Sequence, residues 1–246
     1  MIFRNAITIV ASLMAISGFA DEIDSDLPNL LLIMSEDNSP MLGCYGDDFA
    51  STPNLDRLAS QGFLYTHAYA NAPVCAPNKN TFITGVYATS NGHHHMRCFY
   101  PISDVITYFT EYMANRGYLL QGPQKFGGMG SNLIGREKSG LSSPQKLTSR
   151  RPFFRVYKTH GTHESSIHRS VSADKLIHDP AQVNLPPYHP DTKEMRHDWA
   201  QYYDKMTEMD TIAGGFLQEL EEAGLVDDTI VFYYGDHGSG MPRSKR

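Results

Sequence analysis

The chain has 246 residues, of which 41% are hydrophobic and 20% are charged, and its formal net charge is −6. This composition is typical of a globular protein and excludes an intrinsically disordered chain. The acidic balance argues against a general nucleic-acid binder, which needs a basic surface. Three cysteines, an odd number in so long a chain, exclude a disulfide framework.

The first 20 residues have the pattern of a cleaved secretory signal. Arg4 precedes an apolar stretch from Ala6 to Ile16, and small residues up to Ala20 suit a signal peptidase. The stretch is too short to span a bilayer, and no later segment has the length and apolarity of a membrane span. We therefore predict an exported protein whose mature part is residues 21–246, with a buried N-terminal helix as the alternative for the first segment.

One buried strand and three helices are predicted in the first half of the mature chain. Leu30–Met34 is a continuous apolar run, which is typical of a strand buried on both faces of a parallel sheet. Thr52 is the predicted N-cap of a helix that ends at Gly62. Further helices are predicted over Asn78–Thr84 and Asp104–Arg116.

The second half predicts a loop, two more strands and a segment that cannot be helical. Residues 121–151 show little pattern, which suggests a loop, and Phe153–Tyr157 is a second buried-strand candidate. Residues 180–191 contain four prolines and so exclude a helix. Thr229–Tyr234 is the third buried strand, and the alternation of strands with helices predicts an α/β fold with a mostly parallel sheet.

The longest helix is predicted between the proline-rich segment and the last strand. Asp191 and Glu194 have the spacing of a capping box at its start, and Gly224 is its predicted end. Gly214 and Gly215 interrupt the helical pattern, at a cost of roughly 1 kcal/mol each relative to alanine.

Acidic and imidazole side chains follow all three buried strands. They are Glu36 and Asp37 after the first strand, His160 and His163 after the second, and Asp236 and His237 after the last. Ligands of open α/β sheets bind outside the carboxyl ends of the strands, so these side chains are expected at one edge. Acidic residues at a single strand end are usually solvated, but their coincidence predicts a divalent-cation site, with Ca²⁺ or Mg²⁺ favoured by oxygen ligands.

Cys75 lies just before the helix predicted over Asn78–Thr84. A group at a helix N-terminus meets the positive end of the helix dipole and unpaired N–H donors. That position suits a nucleophile acting on an anionic substrate, whereas a buried free cysteine is the structural alternative.

A series of short motifs runs through the mature chain in a fixed order. The motifs are Pro28–Asp37, Leu42–Gly46, Thr52–Ala59, Ala72–Pro77, Thr84–Gly85, His94–Arg97, Thr162–Glu164, Leu185–Tyr188 and Asp236–Gly238. Together they resemble the type I sulfatases, in what looks like a bacterial branch of that family, over nearly all of the mature chain. The resemblance implies an alkaline-phosphatase-like α/β fold, with residues 21–246 forming the N-terminal part of the catalytic domain.

The resemblance also implies an activity, namely hydrolysis of sulfate esters, with sulfated carbohydrates as the expected substrates. A formylglycine-generating enzyme would oxidise Cys75 to formylglycine, whose hydrated form attacks sulfur. The implied metal ligands are Glu36, Asp37, Cys75, Asp236 and His237. The implied catalytic residues are Cys75, Lys79, Lys125, His163 and Lys245, whose cations would hold sulfate and protonate the leaving alcohol.

The chain departs from the family pattern in three ways. Lys79 replaces the arginine of the Cys-x-Pro-x-Arg modification motif, and an ammonium lacks the planar donor fork of a guanidinium. Gly127 stands where many relatives have a histidine. The family's sheet continues past the position matched by Arg246, so we expect a sheet that is incomplete at its C-terminal edge.

Two other functions remain as alternatives at this point. A phosphatase or phosphodiesterase of the same superfamily would carry a Thr or Ser nucleophile, whereas Cys75-Ala76-Pro77 points to formylglycine. A relative without the modification would have no activity and would at most bind sulfated glycans, and Lys79 is the residue that favours this alternative.

Overall fold

The computed structural model describes residues 27–96, 98, 100–122, 147 and 151–245. The predicted signal segment, Lys125, Gly127 and most of the predicted loop lie outside these residues. A four-stranded parallel sheet forms the centre of the described part, in the order β2-β3-β1-β4. The strands are β1 (Asn29–Ser35), β2 (Leu119–Gln121), β3 (Phe153–Thr159) and β4 (Thr229–Gly235). The α/β fold with a parallel sheet is confirmed.

Among the described residues, four α-helices and four single-turn 3₁₀ helices accompany the sheet. The α-helices are α1 (Pro53–Ser60), α2 (Cys75–Thr84), α3 (Phe109–Asn115) and α4 (Lys193–Glu222). The 3₁₀ helices are Gly43–Tyr45, Glu164–Ser166, Ala173–Lys175 and Pro180–Gln182. The last of these is the only helical turn that the structure describes in the proline-rich segment 180–191, which otherwise is not helical, as predicted.

β1 is buried on both faces, as its apolar run predicts. Leu31 and Ile33 belong to a core that includes α4, whereas Leu32 and Met34 pack on the opposite side of the sheet with Phe154. Its last residue, Ser35, pairs in register with Thr159 of β3 and with Gly235 of β4. The three strands therefore end level with one another, and the residues after them emerge at one edge.

The prediction of β4 as a fully buried strand is wrong. Ile230 is 47% exposed and Phe232 is 50% exposed. Val231 and Tyr233, on the other face of the strand, pack against the core that includes α4, which we call the main core. β4 is the edge strand of the sheet in the described part of the chain, where it pairs with β1 alone. An apolar sequence cannot distinguish a covered strand from one at an edge.

Two helices begin elsewhere than predicted. α2 begins at Cys75 instead of Asn78, because Pro77 lies in the first turn, where a missing N–H costs no helical hydrogen bond. α3 begins at Phe109 instead of Asp104, because the Glu111 carboxylate accepts the backbone N–H of Tyr108 at 3.4 Å and so closes the helix start there.

The predicted cap of α4 was wrong by one residue. Thr192 caps the helix, and its Oγ1 accepts the backbone N–H of Met195 at 3.2 Å. Asp191 instead forms an exposed ion pair with Arg196. The C-terminal end agrees with the prediction, since Gly224 adopts a φ of +66° immediately after the helix.

α1 is capped from α4 and not by the predicted Thr52 side chain. Thr52 Oγ1 accepts from Gly43 N at 3.0 Å. The carboxylate of Asp210 in α4 accepts the backbone N–H of Leu55 and the side-chain amide of Asn54, both at 2.8 Å. This contact requires the two helices to approach closely.

Gly214 explains how α1 and α4 come so near. A Cβ at position 214 would lie 2.5 Å from Cγ of Asn54, whereas one at Gly215 would meet nothing within 4 Å. The first of the two glycines that interrupt the helical pattern therefore has a packing role, and the second has none among the described residues.

Candidate active site

The site lies at the edge where β1, β3 and β4 end and where α2 begins. Asp37 follows β1 with a φ of +52°, a left-handed conformation that aspartate tolerates better than most residues. Its backbone N–H donates to Oδ1 of Asp236 at 2.8 Å, which joins the end of β1 to the turn after β4. The predicted convergence of strand-end residues is therefore present.

Four of the five predicted metal ligands come together in a buried group. One ligand atom from each of Asp37, Cys75, Asp236 and His237 lies within 4.8 Å of all the others. His237 Nε2 is 3.2 Å from Cys75 Sγ and 3.1 Å from Asp37 Oδ1. Two carboxylates, an imidazole and residue 75 form a donor set that suits a divalent cation.

The orientation of His237 strengthens this fit. Its Nδ1 lies 3.0 Å from the backbone oxygen of Gly238, and a carbonyl can only accept, so in the neutral ring Nδ1 carries the proton. Nε2 then points its lone pair at oxygens of Asp37 and Asp236, 3.1 and 3.4 Å away. These lone pairs repel one another unless a proton or a metal cation lies between them, and a backbone-anchored Nδ1–H is the usual support of a metal-binding histidine.

Glu36, the fifth predicted ligand, is not a member of this group. Its Oε1 is 2.6 Å from Lys79 Nζ, and its Oε2 is 2.9 Å from Lys158 Nζ and 2.7 Å from His160 Nδ1. Burial alone would raise the pKa of Glu36, but the two ammonium groups outweigh it and lower the pKa to about 2. Glu36 is thus a buried carboxylate paired with cations, and its role as a metal ligand stays a prediction.

Lys79 connects Glu36 with the metal-ligand group. Its side chain is fully buried, and its Nζ is 2.6 Å from Glu36 and 2.9 Å from Oδ2 of Asp236. Burial would lower the pKa of Lys79, but these two carboxylates hold it well above its usual range. Lys79 is therefore a fixed positive charge beside the candidate site, at the position of the family's arginine.

Cys75 is the first residue of α2 and is only 4% exposed. Burial, and next the negative charge of Asp236, raise the pKa of its thiol to about 12. The thiol is therefore protonated at neutral pH, and a protonated thiol is a poor nucleophile.

Lys245 reaches the site from the turn after β4. Its buried Nζ lies 2.8 Å from Oδ2 of Asp37 and 3.3 Å from Glu164. The backbone N–H of Glu164 donates to the same Asp37 oxygen at 2.7 Å, so the backbone next to His163 lies against the site. The side chain of His163 contacts Ser165, whose Oγ lies 2.9 Å from Nδ1 of the ring.

Three glycines, one at the end of β4 and two in the turn after it, allow segments of backbone to approach closely at the site. A Cβ at Gly235 would lie 2.6 Å from the backbone oxygen of Asn38, and one at Gly238 would lie 2.9 Å from that of Ser244. A Cβ at Gly240 would lie 2.8 Å from Cα of Glu164. Backbone therefore contacts backbone at each of these places.

Sequence reasoning missed several residues that support the site. Lys158, near the end of β3, pairs with Glu36, and the hydroxyl of Tyr202 in α4 donates to the Asp37 carbonyl at 2.7 Å. Asn78 in α2 donates its side-chain amide to the Asp236 carbonyl. A lysine near the end of a strand that is otherwise largely buried was a usable signal for Lys158, whereas the other two follow only from tertiary packing.

A comparison with protein families agrees with this geometry. The family profile described as Sulfatase matches residues 28–132 and 142–245. The chain belongs to the sulfatase family. In the part of this sulfatase-family chain that the structure describes, no helix combines the length and the apolarity needed to cross a membrane.

Two relatives extend this result. The sulfatase-family chain is 28% identical over 268 residues to the ulvan-active sulfatase of Formosa agariphila, covering 89% of this chain and 45% of that protein. It is 24% identical over 259 residues to the human N-sulphoglucosamine sulphohydrolase, covering 88% of this chain and 52% of that protein. The chain thus spans about half the length of these curated relatives.

Solved structures share the fold of this sulfatase-family chain. The phosphonate monoester hydrolase of Agrobacterium radiobacter has a TM-score of 0.64 at 17% identity, covering 87% of this chain and 63% of that one. A protein solved with its substrate, D-glucosamine-2-N,6-O-disulfate, has a TM-score of 0.60 at 14% identity, covering 86% of this chain and 66% of that one. These likenesses confirm the alkaline-phosphatase-like fold.

Proposed function

We propose that this chain carries the nucleophile and the metal ligands of an active site that hydrolyses sulfate esters. The observation that carries the proposal is the buried group of Asp37, Cys75, Asp236 and His237, with residue 75 at the start of a helix. Family membership supports the same function. Residues 21–246 would then form part of the catalytic domain, behind a signal segment that directs export.

Asp37, Asp236 and His237, together with residue 75, would hold one Ca²⁺ or Mg²⁺. When bound, the ion would neutralise negative charge on the sulfate oxygens and favour deprotonation of the nucleophile. Formylglycine at position 75, made by a formylglycine-generating enzyme, would supply the nucleophile as a hydrated aldehyde.

The cationic residues around this group would orient the substrate and move a proton. Lys245 lies between Asp37 and Glu164, from where its ammonium would contact a sulfate oxygen. His163 would protonate the leaving alcohol. Lys79 would keep the Asp236 carboxylate in place, and Lys125 is proposed as a further sulfate-binding cation by family resemblance alone.

The proposed substrates are sulfated carbohydrates. Two relatives point to this class by name, namely the ulvan-active sulfatase and the N-sulphoglucosamine sulphohydrolase. The structural neighbour solved with a glucosamine disulfate supports the same class.

A single set of measurements tests the proposal. The protein is co-expressed with a formylglycine-generating enzyme and assayed on an aryl sulfate and on an aryl phosphonate monoester, with Cys75→Ala as the control. Sulfate hydrolysis that disappears in Cys75→Ala supports the proposal. Phosphonate hydrolysis without sulfate hydrolysis contradicts it, as does binding of sulfated oligosaccharides without turnover by a protein whose residue 75 is fully converted.

A further inference from the structure

His189 connects helix α4 with the turn that carries Lys245. Nε1 of Trp199 lies 2.9 Å from Nδ1 of His189, and Nε2 of His189 lies 2.9 Å from the carbonyl oxygen of Pro242. An indole N–H can only donate, so Nδ1 accepts; a carbonyl can only accept, so Nε2 carries the proton. The two partners therefore select one neutral tautomer and one orientation of a ring that is 9% exposed.

The turn that His189 contacts has a backbone conformation that needs support. Arg243, directly after Pro242, adopts a φ of +68°. A non-glycine residue persists in this left-handed region only when its surroundings hold it there. Met241 is buried in the main core on one side of Pro242, and the hydrogen bond from His189 holds Pro242 itself.

Helix α4 supports both partners of the Lys245–Asp37 ion pair, although neither partner belongs to the helix. Tyr202 lies one helical turn after Trp199, on the same face, and its hydroxyl donates to the Asp37 carbonyl at 2.7 Å. Lys245 reaches the Asp37 carboxylate at 2.8 Å from the turn that His189 anchors. The helix therefore fixes Asp37 directly and fixes Lys245 through His189.

We propose that His189 is a positioning residue, which keeps residues 241–245 in their strained turn and thereby directs the Lys245 ammonium towards the substrate anion. The part of this proposal that concerns substrate rests on the proposed sulfatase function. His189 itself does not contact the reacting atoms and acts through Lys245.

The main test variant is His189→Phe, which keeps an aromatic ring and removes both hydrogen bonds. The backbone N–H of Ser244 is bonded to the Met241 carbonyl at 3.2 Å, and we expect its hydrogen exchange to accelerate about tenfold or more. We expect kcat/KM for an aryl sulfate to fall by about as much as in Lys245→Ala, on the order of a hundredfold. In a Lys245→Ala background, His189→Phe should cause no further fall.

His197→Phe is the matched control. His197 lies in α4, and its Nε2 also contacts a backbone carbonyl, that of Val171, which is outside the 241–245 turn. This variant should change neither Ser244 exchange nor kcat/KM.

A suppressor gives a second, independent test. Arg243→Gly, added to His189→Phe, should restore slow Ser244 exchange, because glycine adopts the positive φ without strain. If His189→Phe fails to fold, Trp199→Phe removes the indole donor together with part of the ring volume, leaves the His189–Pro242 hydrogen bond in place and should produce a smaller change of the same kind.

Two results would overturn the proposal. One is unchanged Ser244 exchange in the folded His189→Phe protein. The other concerns the double variant His189→Phe with Lys245→Ala. Its loss of kcat/KM would have to equal the product of the losses in the two single variants. Absence of any sulfatase activity would contradict the proposed function but not the role of His189. Ser244 exchange in His189→Phe, and in His189→Phe with Arg243→Gly, would still test that role.

Discussion

The ammonium of Lys79 lies 2.6 Å from the carboxylate of Glu36, and both side chains are almost completely excluded from water. Lys79 stands where the modification motif of the resembled family has arginine, so here an ammonium contacts the buried Glu36 carboxylate. The first two predictions concern Lys79.

Lys79→Met should destabilise the protein strongly. The substitution keeps the bulk of the side chain but leaves Asp236 without its ammonium partner, and breaking a buried ion pair from one side costs about 3–5 kcal/mol. Urea unfolding in the presence of a chelator measures the loss. Lys205→Met is the control, because it removes an exposed pair with Glu208 that contributes at most about 1 kcal/mol. Equal losses in the two variants would contradict the prediction.

Conversion of Cys75 to formylglycine should be incomplete in the native sequence and more complete in Lys79→Arg. The motif that the modifying enzyme recognises normally ends in arginine, whose planar donor fork an ammonium does not reproduce. Mass spectrometry of the peptide that contains Cys75, after co-expression with the enzyme, gives the converted fraction. Full conversion with Lys79 in place would show that lysine is tolerated.

Asp236→Asn should strongly weaken the binding of Ca²⁺ or Mg²⁺. The substitution removes one of the two carboxylate charges in the ligand group while keeping the shape of the side chain. Calorimetric titration of the metal-free protein should show at least a hundredfold weaker affinity, by an order-of-magnitude argument from the lost charge. The exposed Asp227 supplies the control, since Asp227→Asn should bind like the native protein. Native affinity in Asp236→Asn would remove this residue from the metal site.

Alanine at the two adjacent glycines of α4 should have opposite effects. Gly214→Ala forces Asn54 away from Asp210, which we expect to cost about 1–3 kcal/mol of stability. Gly215→Ala meets no neighbour and should stabilise the helix by up to about 1 kcal/mol. Thermal unfolding of the two variants compares them directly, and effects of the same sign would show that the close contact with α1 is unimportant.

The sequence allowed the site to be predicted where local pattern and sheet geometry were sufficient. The apolar runs located β1 and β3, and the rule that parallel strands end at one edge predicts that Asp37 and Asp236 lie together. Lys245 joined them through family resemblance, and the structure places its ammonium on Asp37.

The remaining features depend on contacts between distant parts of the chain. Asp210 caps α1, which begins more than 150 residues earlier in the chain. The sequence around Thr52 contains no pattern that predicts this contact. Burial of β4 depends on what covers its outer face, not on its own residues, so its apolar sequence was misleading. The pairing of Lys158 with Glu36 likewise appears only when β3 and β1 lie side by side.

The glycine that ends β4 and two glycines in the following turn also determine where the protein tolerates change. At Gly235, Gly238 and Gly240 a Cβ would lie less than 3.0 Å from backbone atoms of other residues. A gene library that randomises these three positions should therefore contain few folded proteins. Substitutions at exposed positions of the surrounding loops should be tolerated better, because a new side chain there extends into solvent.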